Sequence, residues 1–217
     1  MKKYYAVKTG FNPGIYETWS ECKKEVVGYS GAIYKSFPTM EEAQQYLTQD
    51  NVIETYDQEI YAYVDGSFNI NTRTYGYGGY LYVHGSIYPL FGSGQEKELA
   101  SMQNVAGEIL GAEAAIRKAL SLNLESIIIY YDYHGIKEWA DANWKCNNPN
   151  TLRYKYFVKD ARESMKIGFK KVDAHTGIIG NEVADVVAKF TTGIKISHAE
   201  QNIVDNLIKY NQLPEQM

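Results

Sequence analysis

Residues 126–132 read SIIIYYD, an apolar run of strand length closed by Asp132. A run with no polar alternation belongs to a strand covered on both faces, the usual central strand of an α/β sheet. In open α/β sheets ligand sites gather beyond the carboxyl ends of such strands, so Asp132 stands where chemistry is expected. Upstream lies VAGEILGAEAAIRKAL, residues 105–120. In it Val105, Ile109, Ala112, Ile116 and Ala119 recur at three- and four-residue steps, the buried stripe of a helix, and Glu108 sits one step from that stripe. Earlier still, EIYAYVDGSFN (59–69), YGGYLYV (77–83), a turn at HGS and IYPLFG (87–92) form a meander of strands. Downstream come a helix over GIKEWADANW (135–144), a second around YKYFVKDARESM (154–165), a strand GFKKVDAH (168–175) and a helix opened by GNEVADVVAKF (180–190). A C-terminal tail, residues 192–217, is helical from Ala199 onward.

The first 47 residues make a separate small module of order ββαβα. KYYAVKTG and IYETW flank an NPG turn, and AIYKSF is the third strand. Two capping signals open its helices: Thr18 with Glu21, and Thr39 with Glu42. Residues 48–58 carry no sustained period and read as a linker, which leaves 59–191 as the larger unit.

The chain has 217 residues, 45% of them hydrophobic, and a formal net charge of -4. An acidic chain does not hold nucleic acid by overall charge, so any polyanion must be gripped locally. Such a patch exists in residues 1–36, where six Lys (2, 3, 8, 23, 24, 35) face three Glu (17, 21, 25). No stretch approaches the roughly 18 apolar residues of a membrane span, and no signal-peptide pattern opens the chain, so a cytoplasmic protein is expected. Cys22 and Cys146 are far apart and lack a CxxC partner, which supports neither a zinc knuckle nor a disulfide framework. Tyrosine is abundant, 20 copies against 7 Phe and 3 Trp. That favours sheet and a wet binding surface.

Four acids fall at element ends or on helix faces beside apolar residues, where a lone charge is costly: Asp65, Glu108, Asp132 and Asp185. Each alone has an ordinary reading, as a turn residue or a helix-dipole acid. Converging, they would raise one another's pKa unless cations sat between them. Hard oxygen ligands with no Cys or paired His select Mg²⁺ or Mn²⁺. Two such ions about 4 Å apart would clamp the attacking water and the leaving oxygen of a phosphodiester.

YVDGSF, NVAGEILG, IIIYYD and HTGIIGNEVAD, in that order, resemble the four active-site segments of type 1 ribonuclease H, which degrades the RNA strand of RNA–DNA hybrids. The resemblance covers residue 59 to about residue 190. It implies an α/β fold, a mixed five-stranded sheet with flanking helices. It also implies an endonuclease that uses two Mg²⁺ ions, with Mn²⁺ as a substitute, and leaves 3′-hydroxyl and 5′-phosphate ends. Asp65, Glu108, Asp132 and Asp185 would bind metal, and His175 would assist proton transfer or product departure. Glu182 reads as a first-turn helix acid. Gly66, Ser67 and Asn104 would meet the minor groove, whose 2′-hydroxyls distinguish RNA from DNA. Asn150 matches a phosphate-contacting position loosely and reads equally as a turn former. Between Trp144 and Phe169 the chain is shorter and less basic than relatives that carry a lysine-rich protrusion.

The first module resembles the small hybrid-binding domain of many type 1 enzymes and of caulimovirus inclusion-body (viroplasmin) proteins. By that pattern Tyr5, Trp19, Tyr34 and Lys35 would face an RNA–DNA hybrid duplex, aromatics against sugars and lysine toward phosphate. Trp19 reads equally as a core residue beside its capped helix. Many relatives have two adjacent lysines where this chain has Lys35-Ser36. A monomer with no protein partner is expected. The alternatives are a non-catalytic hybrid-binding scaffold and a related-fold nuclease acting on DNA.

Overall fold

The computed structural model describes residues 3–29, 32–48, 59–173 and 178–210. The chain forms two compact units, Met1–Thr55 and Tyr56–Met217.

In the first unit β1 (Tyr4–Thr9), β2 (Gly14–Tyr16) and β3 (Ile33–Phe37) form an antiparallel sheet of order β2-β1-β3, with α1 (Trp19–Val26) between β2 and β3 and α2 (Met40–Thr48) after β3. The order ββαβα follows from the turn and capping signals. Thr18 and Glu21 form the full reciprocal capping box, and Thr39 Oγ1 accepts from Glu42 N at 3.2 Å. Side chains alternate along β1, so the two helices cover opposite faces. Ala6 packs with Ala43 and Tyr46 of α2, whereas Val7 packs with Cys22 and Val26 of α1.

The second unit is a five-stranded sheet of order β6-β5-β4-β7-β8. The strands β4 (Ile60–Asn69), β5 (Thr74–Val83) and β6 (Ser86–Gly94) form the antiparallel meander; β7 (Ser126–Tyr131) and β8 (Lys166–Lys171) continue the sheet parallel to β4. One face carries the main core. There α4 (Asn104–Ser121), α5 (Gly135–Ala140) and α6 (Pro149–Ala161) bury Ile109, Ile116, Ile136, Tyr154 and Val158 against Val64, Ile127, Ile129 and Ile167. The other face receives α7 (Ile179–Thr191) and α8 (His198–Tyr210), which share a small cluster of Val186, Val187, Val204 and Leu207 with Tyr80 and Ile87. A short α3 (Lys97–Ala100) precedes α4. Residues 192–210 are thus part of the fold. No described helix is long and apolar enough to cross a membrane.

Several boundaries differ from the sequence reading: the strand expected over 168–175 is Lys166–Lys171, the one expected over 15–19 is Gly14–Tyr16, and two helix ends shift. The helix expected through Trp144 stops at Ala140, because Ala142 takes φ +58° and the Glu138 carbonyl accepts from both Asn143 N and Trp144 N. The second helix begins five residues before Tyr154, with Asn148 as its cap and Pro149 at its first position, where a missing N–H costs nothing. The expected linker, residues 48–58, lies outside the described residues save for Thr48.

Candidate active site

The site is assembled around Gly66. Along β4 side chains alternate, so Tyr63, Asp65 and Ser67 share one face while Val64 and Gly66 turn to α4. A Cβ at Gly66 would lie 2.3 Å from the Asn104 carbonyl oxygen and 2.4 Å from Glu108 N. The bare α-carbon therefore lets α4 rest directly on β4. That contact brings Glu108 to Asp65: the Gly66 N–H donates to Asp65 Oδ1 at 2.7 Å and also stabilises the Glu108 carboxylate. Asp132 arrives from β7. Tyr63 pairs with Tyr130 across the parallel strands, and each aspartate lies two residues further on. One oxygen from each of Asp65, Glu108 and Asp132 falls within 4.8 Å of the others.

Three carboxylates at such spacing, with Asp65 at 7% exposure and Glu108 at 2%, are expensive to ionise together. Burial chiefly, then Asp132 and Asp185, push Asp65 up to about 7 despite an opposing hydrogen bond from Glu108. Burial, followed by the charges of Asp65 and Asp132, holds Glu108 well above the usual carboxylate range. Glu108 Oε2 is also buried without a hydrogen-bond partner among the described residues. An orphaned carboxylate oxygen within an all-oxygen cluster is what a hard divalent cation fits.

Asp185 departs from the sequence expectation. It is near enough for its charge to raise the Asp65 pKa, yet it is not a member of the close group. Its Oδ2 is held by Lys189 Nζ at 2.6 Å, one helical turn on. His175 lies outside the described residues. Glu182 is exposed in the first turn of α7, as expected of a helix-dipole acid.

Asn104 is exposed at the first position of α4, one turn before Glu108 and so on the same helix face. The expectation for Gly66-Ser67 concerned their backbone; the Ser67 side chain itself is buried toward α7, its hydroxyl 3.3 Å from Thr192 Oγ1. Gly66 likewise turns its α-carbon to α4. Asn150 sits in the first turn of α6, its N–H donating to the Asn148 side chain. A cluster the sequence reading passed over follows Asp132. Tyr133 packs on Trp139 at 5.8 Å, and Trp144, 41% exposed, packs on Trp139 and His134. Its only signal was two tryptophans shortly after the metal-type aspartate.

In the first unit Trp19 bridges Tyr5 and Tyr34, with ring centroids at 5.7 and 5.6 Å. Trp19 is 42% exposed and Tyr34 44%, so Trp19 is a surface ring and not a core residue. Lys35 does not join them. It follows Tyr34 in β3, so the period of two turns it to the opposite face, beside Phe37 and Tyr46.

The family model described as RNase H matches residues 57–192, more than half of the chain. The chain belongs to the ribonuclease H family. A second model, described as the ribonuclease H1 N-terminal domain, matches residues 3–47. The ribonuclease H of Saccharomyces cerevisiae is 48% identical over 59 residues, 27% of this chain. That alignment spans 17% of the yeast protein, and one to the Crithidia fasciculata ribonuclease H spans 9% of its length. Mouse ribonuclease H1 aligns more broadly, 23% identical and covering 86% of this chain and 88% of its own. Among solved structures, ribonuclease H1 of Halobacterium salinarum shares the fold at TM-score 0.50 and 20% identity, covering 63% of this chain and 98% of its own. The N-terminal RNase H domain of a Mycobacterium tuberculosis protein does so at TM-score 0.51 and 16% identity, covering 67% and 99%. The ribonuclease H fold is thus the framework that carries these carboxylates.

Proposed function

We propose that this ribonuclease H family member hydrolyses the RNA strand of RNA–DNA hybrids, leaving 3′-hydroxyl and 5′-phosphate ends. The observation that carries the reading is the Asp65–Glu108–Asp132 cluster within 4.8 Å, to which Glu108 also brings a buried oxygen without a hydrogen-bond partner among the described residues. Asp65, Glu108 and Asp132 would hold Mg²⁺, or Mn²⁺ in its place, and Asp185 would join them on leaving Lys189. When bound, a pair of such ions supplies Lewis-acid charge that activates water and stabilises the negative charge developing at phosphorus. The protein's own work is positional. Gly66 sets the spacing of Asp65 and Glu108, both of whose pKa values are raised by burial, and both would have to be ionised to hold a cation. Asn104 offers a neutral donor and acceptor to a 2′-hydroxyl beside the cluster. His175 is assigned to proton transfer or product departure.

A cleavage panel of RNA–DNA hybrid, duplex RNA and duplex DNA tests this reading. Cleavage confined to the RNA strand of the hybrid is expected; preferential cutting of duplex DNA would replace it with the DNA-nuclease alternative.

The first unit is assigned to hybrid capture through Tyr5, Trp19 and Tyr34. Tethering a second binding site raises apparent affinity by supplying a high local concentration. Removing residues 1–50 is therefore expected to weaken hybrid binding by about tenfold or more and to flatten its salt dependence, with turnover at saturating substrate unchanged. Binding titrations at two salt concentrations check this, and an unmoved affinity and slope would leave the module without that role.

A further inference from the structure

Asp185 and Lys189 are one turn apart on α7, and their spacing alone makes them a common helix pair. The turn that holds them is fixed against the sheet. A Cβ at Gly78 of β5 would lie 2.1 Å from Ala188 N and 2.7 Å from the Ala184 carbonyl oxygen, so the backbone of α7 rests directly on the strand around this turn. There the Asp185 charge reaches Asp65, while the Lys189 ammonium stands 2.6 Å from Asp185 Oδ2, both side chains only partly exposed. The same ammonium also acts on the next helix. At the start of α8 Glu200 forms a reciprocal cap with Ser197, whose N–H donates to the Glu200 carboxylate at 2.6 Å while Glu200 N donates to Ser197 Oγ at 3.3 Å. Those hydrogen bonds, and after them the Lys189 charge, hold the Glu200 carboxyl below the usual carboxylate range. Lys189 thus has one acid beside the carboxylate cluster and a second within electrostatic reach on α8.

We propose that Lys189 is the resident counter-cation of Asp185, which a divalent ion must displace toward Glu200, so that Lys189 sets the ion concentration at which Asp185 joins the other three carboxylates. The proposal rests on the nuclease reading for the ions themselves. A carboxylate oxygen held by an ammonium opens to another cation only as the ammonium withdraws, since like charges around one acid repel. Asp65, Glu108 and Asp132 therefore take an ion without disturbing Lys189, and Asp185 takes part only at higher ion concentration. Lysine suits such an exchange. Its charge is a compact ammonium on a flexible four-carbon stem, able to swing between acids, whereas the planar fork of arginine would grip a carboxylate through two bonds. Lys189 is on this account a positioning residue, acting through Asp185.

The test is a Mn²⁺ titration of the full chain without nucleic acid, with free ion read from the electron paramagnetic resonance signal of hydrated Mn²⁺. Asp185→Asn marks the binding class that depends on Asp185. That class is expected to tighten about fivefold in Lys189→Gln, the scale of one partly exposed ion pair, and to be no tighter than wild type in Lys189→Arg, which keeps the charge. A gain in affinity is not what a damaged fold produces. Glu200→Gln removes the second acid and is expected to weaken the class about twofold. In an Asp185→Asn chain, Lys189→Gln should leave the remaining binding unchanged. No class weakened by Asp185→Asn, a class unmoved by Lys189→Gln, or a gain of equal size in the Asp185→Asn chain would overturn the proposal and leave the three-carboxylate nuclease reading standing. A class unmoved by Glu200→Gln would overturn the displacement toward α8. Mn²⁺ binding that Asp65→Asn leaves unchanged would remove the nuclease reading, and the proposal with it.

Discussion

Replacing Asp65 with Asn is expected to abolish hybrid cleavage while making the metal-free protein more stable. Asp65 is one of three clustered carboxylates, and losing its charge removes a cation ligand. Metal-assisted stabilisation amounts to several kcal/mol, so a fall of at least about a thousandfold is expected. Stability moves the opposite way. Burial pushes Asp65 up to about 7, above its unfolded value, so between about pH 4 and pH 7 the folded state holds a proton that the unfolded state has released. Metal-free stability therefore falls as pH rises through that window. Asn cannot ionise, so the variant's melting temperature should fall less steeply there than that of wild type, the remaining slope coming from buried Glu108. At pH 8 the gain over wild type should be on the order of 2 kcal/mol, less than the full shift implies because Glu108 shares the proton. Melting curves at pH 5 and pH 8, with and without Mg²⁺, check both halves. Mg²⁺ should stabilise wild type most at the higher pH and the variant little. A variant less stable than wild type at pH 8 would mean that the cluster is not held under electrostatic strain.

The second large effect comes from a methyl group. Gly66→Ala places a carbon 2.3 Å from the Asn104 carbonyl and 2.4 Å from Glu108 N, both backbone atoms of α4. Neither can rotate aside, so the helix must shift from the strand. Overpacking of this kind costs about 1–3 kcal/mol. Catalysis should suffer more. Displacing Glu108 from Asp65 by about 1 Å is expected to lower turnover about a hundredfold even where the protein is fully folded. Turnover at saturating Mg²⁺ alongside a chemical melt separates the two. Ser67→Ala removes only the buried bond to Thr192, so it should cost about 1 kcal/mol and leave turnover near wild type.

These residues also show what could be read from the chain. Asp132 could be placed because SIIIYYD reads as a covered strand with the acid at its carboxyl end, though alone it read equally as a turn residue and only the set of four acids gave it weight. Glu108 was evident as an acid beside an apolar helical stripe. The element order of the first unit followed from turn and cap signals and that of the second from hydrophobic periodicity, save for the short α3, which was not read. The role of Gly66 was not readable, because a glycine packed against a helix and one placed beside a ligand look alike until the helix is in position. Lys35 was grouped with Tyr34 by the family pattern, and strand alternation separates them. The early end of α5 turns on Ala142 at positive φ, where glycine or asparagine would have announced the break. The pairing of Asp185 with Lys189 is an ordinary i,i+4 helix pair that the spacing allows, passed over because Asp185 was read with the other carboxylates.

The most direct measurement is a crystal structure of the chain grown with Mn²⁺ and read by anomalous scattering. Two peaks bridged by Asp65, Glu108 and Asp132 are expected, with Asp185 turned away from Lys189 to complete the set. Density showing Mn²⁺ elsewhere, with Glu108 Oε2 still without a partner and Asp185 still paired to Lys189, would contradict the assignment of this cluster as the catalytic centre.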